Sequence, residues 1–446
     1  MKLLIVTNGY PPTAFGGVEV YSQSIAAGLV ERGHAVTVFC RDSDPAAPDY
    51  ELRDEEQDGV QVLRLVNDFK AIRSFHETYR NEHIGGLFEQ LLADVDPDLI
   101  QFNHVIALSA DLPLIAAVQK IPSLISLHDY WYICHRVRLQ DWRDERCGGP
   151  LQGGDCYRCV VGAARWFKLR RQGLLLAKNL MPPGLRRKIR EWGWIPPQSS
   201  VTAASANRGD FEARRKLFAK SLRSSQQVLT PSEYLKKVYQ ANGFADLTIE
   251  VLPLGMQIPE RRRKRISADD VIKIGFAGTL MPDKGPHVLI EAFRRVSSDR
   301  LNLEIYGRAD ADTGYMTRLR RLAGDDERIH LRGPFSVDQR DEIYRSLDLL
   351  VLPSLFQETY SLVAREALLL GTPLFASDVG ALPEIIKPGV NGELFPPGDV
   401  EALARLIQRV SGNPDQLSSY KLPGPVPILS VEEHLDRLEE IYTGLL

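Results

Sequence analysis

Two doubly wound α/β domains are what this sequence predicts, on three observations. The chain has 446 residues, more than one hydrophobic core ordinarily organises and suited to two domains of about 200 residues each. Short apolar runs alternate with helical stretches, the pattern of a parallel sheet covered by helices. The alternation starts afresh near residue 271, after a polar, basic, proline-led segment.

Taken in order, MKLLIVTNGYPP opens the chain as a strand; its apolar run is too short for a signal peptide and is broken at once by Asn8, Gly9 and Pro11-Pro12. AVTVF, VQVLRL, DLIQF and PSLISL follow as strands, with helical stretches at 21–32 and 85–94 between them. From about 160 to 225 the rhythm gives way to a helical, strongly basic pattern. Arg165, Lys168, Arg170, Arg171, Arg186, Arg187, Lys188 and Arg190 interleave there with Trp166, Phe167 and Trp192. Such a mixture describes an interfacial helix on an anionic membrane; a solvated face packed on its own domain gives the same pattern. PERRRKRISADD reads as the linker. The second unit then runs VIKIGFAG, VLIEAFRRV, LNLEIYG, YMTRLRRLAG, IHLRG, DEIYRSL, DLLVLPS, TPLFAS and VEALARLIQRV. VEEHLDRLEEIYTGLL closes the chain as an amphipathic helix that either finishes the second domain or crosses back onto the first. The expected boundaries are 1–262 for the first domain, carrying a cysteine-rich and basic insertion over about 134–225, then 263–428 for the second and 429–446 for the terminal helix.

Bulk composition excludes several classes. A hydrophobic content of 44% with 25% charged residues belongs to a soluble globular protein, and a formal charge of −3 gives no electrostatic footprint for nucleic acid. No stretch approaches the roughly 18 apolar residues of a membrane span, so a cytoplasmic protein is expected, with any membrane contact peripheral. Four of the five cysteines, Cys134, Cys147, Cys156 and Cys159, crowd one segment. That is not a secreted disulfide framework; four thiolates ending in Cys-x-x-Cys suit a structural zinc, with free or redox-active thiols the other reading.

One charge stands out by its company. In ETYSLVAREALLLG a helix over 361–370, closed by Gly371, puts Leu362, Val363, Leu369 and Leu370 around Glu366. A carboxylate on that stripe needs a partner, either a structural ion pair or a ligand. Each half of the chain also opens with a strand running into a glycine-bearing loop before a helix, Gly16-Gly17 in the first and Lys284-Gly285 in the second. Glycine lets the backbone approach a ligand and helix-start amides attract phosphate. Neither loop has the dinucleotide or P-loop spacing; two of them in separate doubly wound domains suggest one shared ligand cleft.

GTLMPDKGPHVLIEAF, LNLEIYGR, IHLRGPFS, the long stretch from DLLVLPSLFQETYSLVAREALLLGTP through SDVGALPEII to ELFPPGD, and the opening GYPPTAFGGVEVYSQSIAAGLVERGHAVTVF resemble the retaining glycosyltransferases of family 4 (glycosyl transferases group 1). The resemblance runs in order from the first strand to about residue 410, with 134–225 less typical, and its most specific piece is the pair Glu358 and Glu366. It implies the GT-B fold, two Rossmann-like doubly wound domains facing a cleft, the first on the acceptor side and the second binding a nucleotide sugar. By position Glu358 would contact the donor sugar and Glu366 the ribose, while the amides of Tyr360, Ser361 and Leu362 hold the diphosphate and Lys284 neutralises it. The family's usual arginine is missing from the triplet Gly278, Thr279, Leu280, which leaves Lys284 the main cation unless Arg308 or another residue substitutes. Arg308, Gly333 and Pro334 fall where the family places the base. In the first domain SLISLHDYW matches the strand that ends in a histidine near sugar and acceptor. His128 is therefore a catalytic candidate with Lys284 and Glu358, Asp129 and His104 line the acceptor side, and Gly16, Gly17 and Glu19 approach the phosphate or acceptor.

The implied reaction moves a sugar, with retention, from a nucleotide-diphosphate donor of UDP or GDP type to a hydroxyl of a saccharide or lipid-linked acceptor, as in polysaccharide or glycolipid biosynthesis. No catalytic metal is expected; the Asp-x-Asp triplets at 42–44, 96–98 and 310–312 read as loops. A nucleotide-sugar epimerase and a non-catalytic nucleotide-sugar-binding protein share the architecture and remain the alternatives, the last kept open by Thr279.

Overall fold

The computed structural model describes residues 1–143, 145–162, 206–258, 271–309, 313–421 and 428–446. The basic stretch at 165–192, the linker at 259–270 and the triplet at 310–312 lie outside them. Residues 1–162, 206–256 and 429–446 form one compact unit, and those from 257 to 428 a second.

In the first unit the strands are β1 (Lys2–Thr7), β2 (Ala35–Asp42), β3 (Leu52–Gln57), β4 (Val60–Val66), β5 (Leu99–Phe102), β6 (Ser123–Ser126), β7 (Gln227–Thr230) and β8 (Ile249–Val251). They form one sheet in the order β3-β4-β2-β1-β5-β6-β7-β8. Every pairing is parallel except β3 with β4. Leu3, Leu4, Ile5 and Val6 of β1 are all buried, as a central parallel strand covered on both faces requires. Helices α1 (Gly17–Glu31), α2 (Glu82–Val95), α3 (Leu112–Val118), α4 (Arg208–Ser224) and α5 (Glu233–Tyr239) belong to this unit. Asn81 caps α2, a box of Asn207 with Asp210 caps α4, and Ser232 caps α5. Strand β3, LRDEEQ, is absent from the sequence-based expectation: it is a largely exposed, charged edge strand, the composition that keeps an edge from pairing with other chains and also hides it from a search for apolar runs.

The second unit alternates β9 (Ile272–Ala277), α6 (Pro286–Phe293), β10 (Leu301–Tyr306), α7 (Thr313–Ala323), β11 (Ile329–Gly333), α8 (Val337–Ser346), β12 (Leu349–Leu352), α9 (Leu362–Leu369), β13 (Leu374–Ser377), α10 (Leu382–Ile385), β14 (Gly392–Phe395), α11 (Val400–Gly412) and α12 (Asp415–Ser419). Its sheet, β11-β10-β9-β12-β13-β14, is parallel throughout. The period-two alternation of strand side chains divides the core: Ile272, Ile274 and Phe276 join Leu289, Phe293 and Leu403 on one face, while Ala277 joins Leu347, Ala364 and Leu368 on the other. Gly275 has no room for more, since a Cβ there would lie 2.2 Å from Leu347 Cδ1.

The last helix, α13 (Val431–Leu445), packs on the first unit. Ser430 and Glu433 box its start, Tyr21 bonds His434 at 2.9 Å, and Arg32 pairs with Asp436 at 2.7 Å and with Glu439 at 2.5 Å.

Both sheets place a reversal of strand order beside their first strand, β1 between β2 and β5, β9 between β10 and β12. Open parallel sheets bind ligands beyond the carboxyl ends of strands at such points.

Candidate functional site

Around β9 and β12 the sequence builds a close junction of loops. A short turn at Pro282–Lys284 leads into α6 through Gly285, whose φ of 72° and position, with a would-be Cβ 2.0 Å from the Pro353 carbonyl, only glycine satisfies. The amides of Leu355 and Phe356 donate to the Asp283 carbonyl at 2.7 and 3.1 Å, stitching the loop after β9 to the loop after β12. As a result Lys284 Nζ reaches Glu358 Oε1 at 2.8 Å, and the Ser354 hydroxyl donates to the same oxygen at 2.8 Å. Glu358 is fixed from behind as well. Gly380, at φ 62°, lets its own backbone lie against that of Glu358, and Ala381 N–H donates to the Glu358 carbonyl at 2.7 Å. The conspicuous sequence SDVGALPEII thus serves as the backing of the first glutamate.

Three residues further, Ser361 stands at the start of α9 with φ 61° and ψ 84°, a left-handed conformation unusual for a side chain with a Cβ, and makes no capping bond through its side chain. Arg365, buried, donates to the Tyr360 carbonyl and stacks on its ring at 3.4 Å. This clamp, absent from the sequence reading, orders the segment whose amides were expected to meet the diphosphate. The amides of Tyr360, Ser361 and Leu362 and the Lys284 ammonium thus belong to neighbouring loops of one unit.

Glu366 is in α9, as expected, but already has protein partners. Arg340 Nη1 bonds Oε1 at 3.1 Å and the Tyr344 hydroxyl donates to Oε2 at 3.2 Å. Burial pushes the Glu366 carboxyl above its ordinary range while Arg340 and Tyr344 pull against it. Neither partner was singled out in the sequence.

On the other side of β9, the ends of three strands are chained by backbone. Gly278 N–H donates to the Tyr306 carbonyl at 3.1 Å and Gly307 N–H to the Gly333 carbonyl at 2.8 Å. Leu280 N–H donates to the Arg308 carbonyl at 2.9 Å, which sets exposed Arg308 beside Thr279. After Pro334, the Phe335 ring stands edge-on to Tyr306 at 6.2 Å.

In the first unit, Gly16 precedes α1 in ordinary extended geometry. The loop before it is held by Arg64, fully buried in β4, which donates to the carbonyls of Tyr10 and Pro11 at 2.9 and 2.7 Å and pairs with Glu55 at 2.9 Å. Glu19, fixed by Asn8 at 2.8 Å, folds back so that a Cβ on Gly16 would meet its Oε2 at 2.3 Å. The positive end of this helix therefore already carries a carboxylate.

His104 and Asp129 follow β5 and β6. Ile106 N–H donates to His104 Nδ1 at 2.9 Å, so the ring proton is on Nε2, which donates to Asp129 Oδ2 at 2.8 Å. Asp129 Oδ1 accepts the Trp131 amide at 2.8 Å. Burial acts to raise Asp129, but His104 and that amide outweigh it and hold the carboxyl below its ordinary range. The adjacent His128 is buried, its Nε2 has no partner among the described residues, and burial, reinforced by His104, pushes its pKa down to about 3. It is a neutral imidazole at any physiological pH. The sequence singled out all three; the structure joins His104 to Asp129 and, among the described residues, gives His128 Nε2 no hydrogen-bond partner.

Cys134, Cys147, Cys156 and Cys159 line one cavity of about 300 Å³, and the Gly149 amide donates to Cys147 Sγ at 3.4 Å. Among the described residues no three His, Cys, Asp or Glu side chains are gathered so as to hold a metal ion. Nor, among them, is any helix long and apolar enough to cross a membrane.

Comparison with known proteins agrees with this architecture. Residues 272–413 match the model of the family described as glycosyl transferases group 1, and residues 16–168 that of the glycosyl transferase 4-like domain. An uncharacterized glycosyltransferase of Methanocaldococcus jannaschii is 25% identical over 92% of this chain and 89% of its own length. A D-inositol 3-phosphate glycosyltransferase of Streptomyces bingchenggensis is 32% identical, over only 35% of this chain and 36% of that enzyme. Among solved structures, sucrose-phosphate synthase from Thermosynechococcus elongatus superposes with a TM-score of 0.63 at 17% identity, covering 99% of this chain and 98% of that one. HepE of Anabaena, solved with UDP and glucose, gives 0.61 at 16% identity over the whole of both chains. The fold is that of the GT-B glycosyltransferases. The chain belongs to the group 1, GT4-type glycosyltransferases.

Proposed function

We propose that this glycosyltransferase is a retaining enzyme that takes a hexosyl unit from a UDP-sugar and places it on a hydroxyl of a saccharide or lipid-linked acceptor, in polysaccharide or glycolipid assembly. The observation that carries the reading is the junction in the second unit, where Lys284, Glu358 and the start of α9 are brought together, with Glu366 one turn further along the helix. The UDP assignment leans on HepE, solved with UDP and with UDP-glucose.

In this reading the Lys284 ammonium and the amides at 360–362 bind the diphosphate and stabilise the charge that grows on it as it leaves. Glu358, held by Ser354 and Lys284, accepts hydroxyls of the donor sugar; Glu366 accepts those of the ribose. Asp129 is the ionised group on the acceptor side and receives the acceptor hydroxyl, while neutral His128 offers its nitrogen to the sugar. The bond from the anomeric carbon to the phosphate oxygen breaks, the bond to the acceptor oxygen forms on the same face, and the hydroxyl proton passes to the departing diphosphate. Lys284 also balances Glu358, so bringing in a diphosphate calls for a further cation; Arg308, beside Thr279, is the residue assigned to supply it.

The test is to incubate the protein with UDP-sugars and follow UDP release with and without acceptors, reading the anomeric configuration of the product by proton NMR. Release of UDP with the donor's configuration preserved supports the proposal. An inverted product would overturn retention, and a sugar returned as its epimer on UDP would favour an isomerase instead.

A further inference from the structure

Resting on the assignment of Glu366 to the donor ribose, we infer that Arg340, with Tyr344, is a positioning residue that aims the Glu366 carboxylate at the cis-diol of the nucleoside.

The two side chains project from one face of α8, four residues apart. Each takes a different oxygen of the same carboxylate: Arg340 Nη1 to Oε1 at 3.1 Å, Tyr344 hydroxyl to Oε2 at 3.2 Å. Two donors on two oxygens fix both the position and the plane of the carboxylate, and each oxygen keeps a second lone-pair direction. Two hydroxyls on adjacent carbons match those two free directions, as a ribose 2′,3′-diol does.

The supports are themselves anchored. Arg340 Nε bonds Asp341 Oδ1 at 3.0 Å, and Arg345 stands 4.0 Å from the other oxygen of Asp341. Tyr344 is fully buried and its carbonyl accepts the Thr372 hydroxyl at 2.8 Å, tying α8 to the turn that follows α9. Arg340 and Glu366 retain 24% and 18% of their side-chain exposure, enough for a ligand to reach the carboxylate.

The charged and titratable groups acting on Glu366 are Arg340, Tyr344 and Asp341, all from α8; Arg365, on the same helix as Glu366, is turned to Tyr360. Arg340 is thus the only cation among them, opposed by burial and by Asp341. Removing it lets the carboxyl take up a proton at higher pH, and a protonated carboxyl no longer accepts both hydroxyls.

The experiment is calorimetric titration of the full-length protein with UDP and with 2′-deoxy-UDP from pH 6 to 9, for wild type, Arg340→Gln, Arg340→Lys, Tyr344→Phe and Glu366→Gln. Wild type should prefer UDP to the deoxy analogue. Arg340→Gln should bind UDP about tenfold more weakly at pH 6.5, lose most of its preference for the 2′-hydroxyl, and regain affinity toward pH 9. Arg340→Lys should fall between, since it restores charge without the planar fork. Tyr344→Phe should weaken UDP binding less, and Glu366→Gln should be weak at every pH. With the donor, Arg340→Gln should raise KM more than it lowers kcat. Equal UDP affinity and an unchanged pH profile in Arg340→Gln would overturn the inference. So would a loss that is the same at every pH and not relieved by lysine, which would be a folding effect. UDP bound normally by Glu366→Gln would remove the ribose contact while leaving the Lys284 site standing. No nucleotide binding by wild type would overturn the donor assignment itself and this inference with it.

Discussion

The candidate residues of the two units differ in kind. In the second, cation and carboxylate come in pairs, Lys284 with Glu358 and Arg340 with Glu366, partly open to solvent. In the first, beyond β5 and β6, an ionised carboxylate, Asp129, is bonded to His104 beside a buried neutral His128. Such pairs suit a ligand that is charged at one part and hydroxylated at another, the cation facing phosphate and the carboxylate facing hydroxyls. A carboxylate beside imidazoles suits the recognition of hydroxyls, where hydrogen-bond direction matters most.

That contrast is most exposed to substitutions that should split binding from turnover. Lys284→Ala removes the cation assigned to the diphosphate and leaves Glu358 unbalanced; kcat/KM should fall by about 100- to 1,000-fold, read as UDP release. A loss below tenfold would place the diphosphate elsewhere. Asp129→Asn should lower kcat by about 100-fold while leaving the calorimetric affinity for UDP unchanged. An equal loss of UDP affinity would erase the distinction between the two sets.

Acid provides a gentler probe. Burial holds His128 at about 3 and His434 at about 4 in the first unit, and His287 at about 4 in the second, against about 6.5 in an unfolded chain. Between these values the unfolded chain binds more protons than the folded one, so stability falls as the pH drops from about 6.5 toward 4. With His135 also held by burial at about 3, the first unit has three such imidazoles against one and should loosen earlier. Hydrogen exchange followed peptide by peptide from pH 7 to 4 reads this, and His434→Gln should flatten the first unit's response. The smallest effect belongs to Ser361→Gly. Relief of the left-handed conformation should be worth about 1 kcal/mol, largely offset by glycine's greater freedom in the unfolded chain, so the melting temperature should barely move, while Ser361→Val should lower it.

Much of the fold was legible because it is written in local patterns. The alternation of apolar runs with helical stretches marks most strands of both parallel sheets, though the short β7, β8 and β14 were not named, and the restart near 271 marks the second unit. Strand β3 escaped because its residues obey the chemistry of an exposed edge. The Glu366 position was legible for a related reason, since a carboxylate within an apolar stripe violates the helix's own pattern and so announces a partner. Which partner it has was not legible: Arg340 is 26 residues away, on a helix whose charges look like any solvated face. Arg64 lies 54 residues from the Tyr10 carbonyl it holds, and that separation hid its partner in the same way. Arg365 lies five residues from Tyr360, yet its inward turn follows from the tertiary packing of α9. The predicted basic helices at 165–192 fall outside the described residues. Their proposed contact with an anionic membrane rests on composition, and vesicle binding after charge reversal of Arg186, Arg187 and Lys188 addresses it: unchanged binding would remove the proposal.

The central claim is that the second unit holds a nucleoside-diphosphate sugar through Lys284, Glu358 and Glu366. Thermal denaturation of the purified protein in the presence of UDP, GDP, ADP or TDP, with Glu366→Ala alongside, tests it most directly, because a ligand that binds only the folded state raises the melting temperature. The account predicts a rise with UDP that is lost in the variant. Four nucleotides without effect on the wild type, or a UDP response that survives in Glu366→Ala, would contradict it.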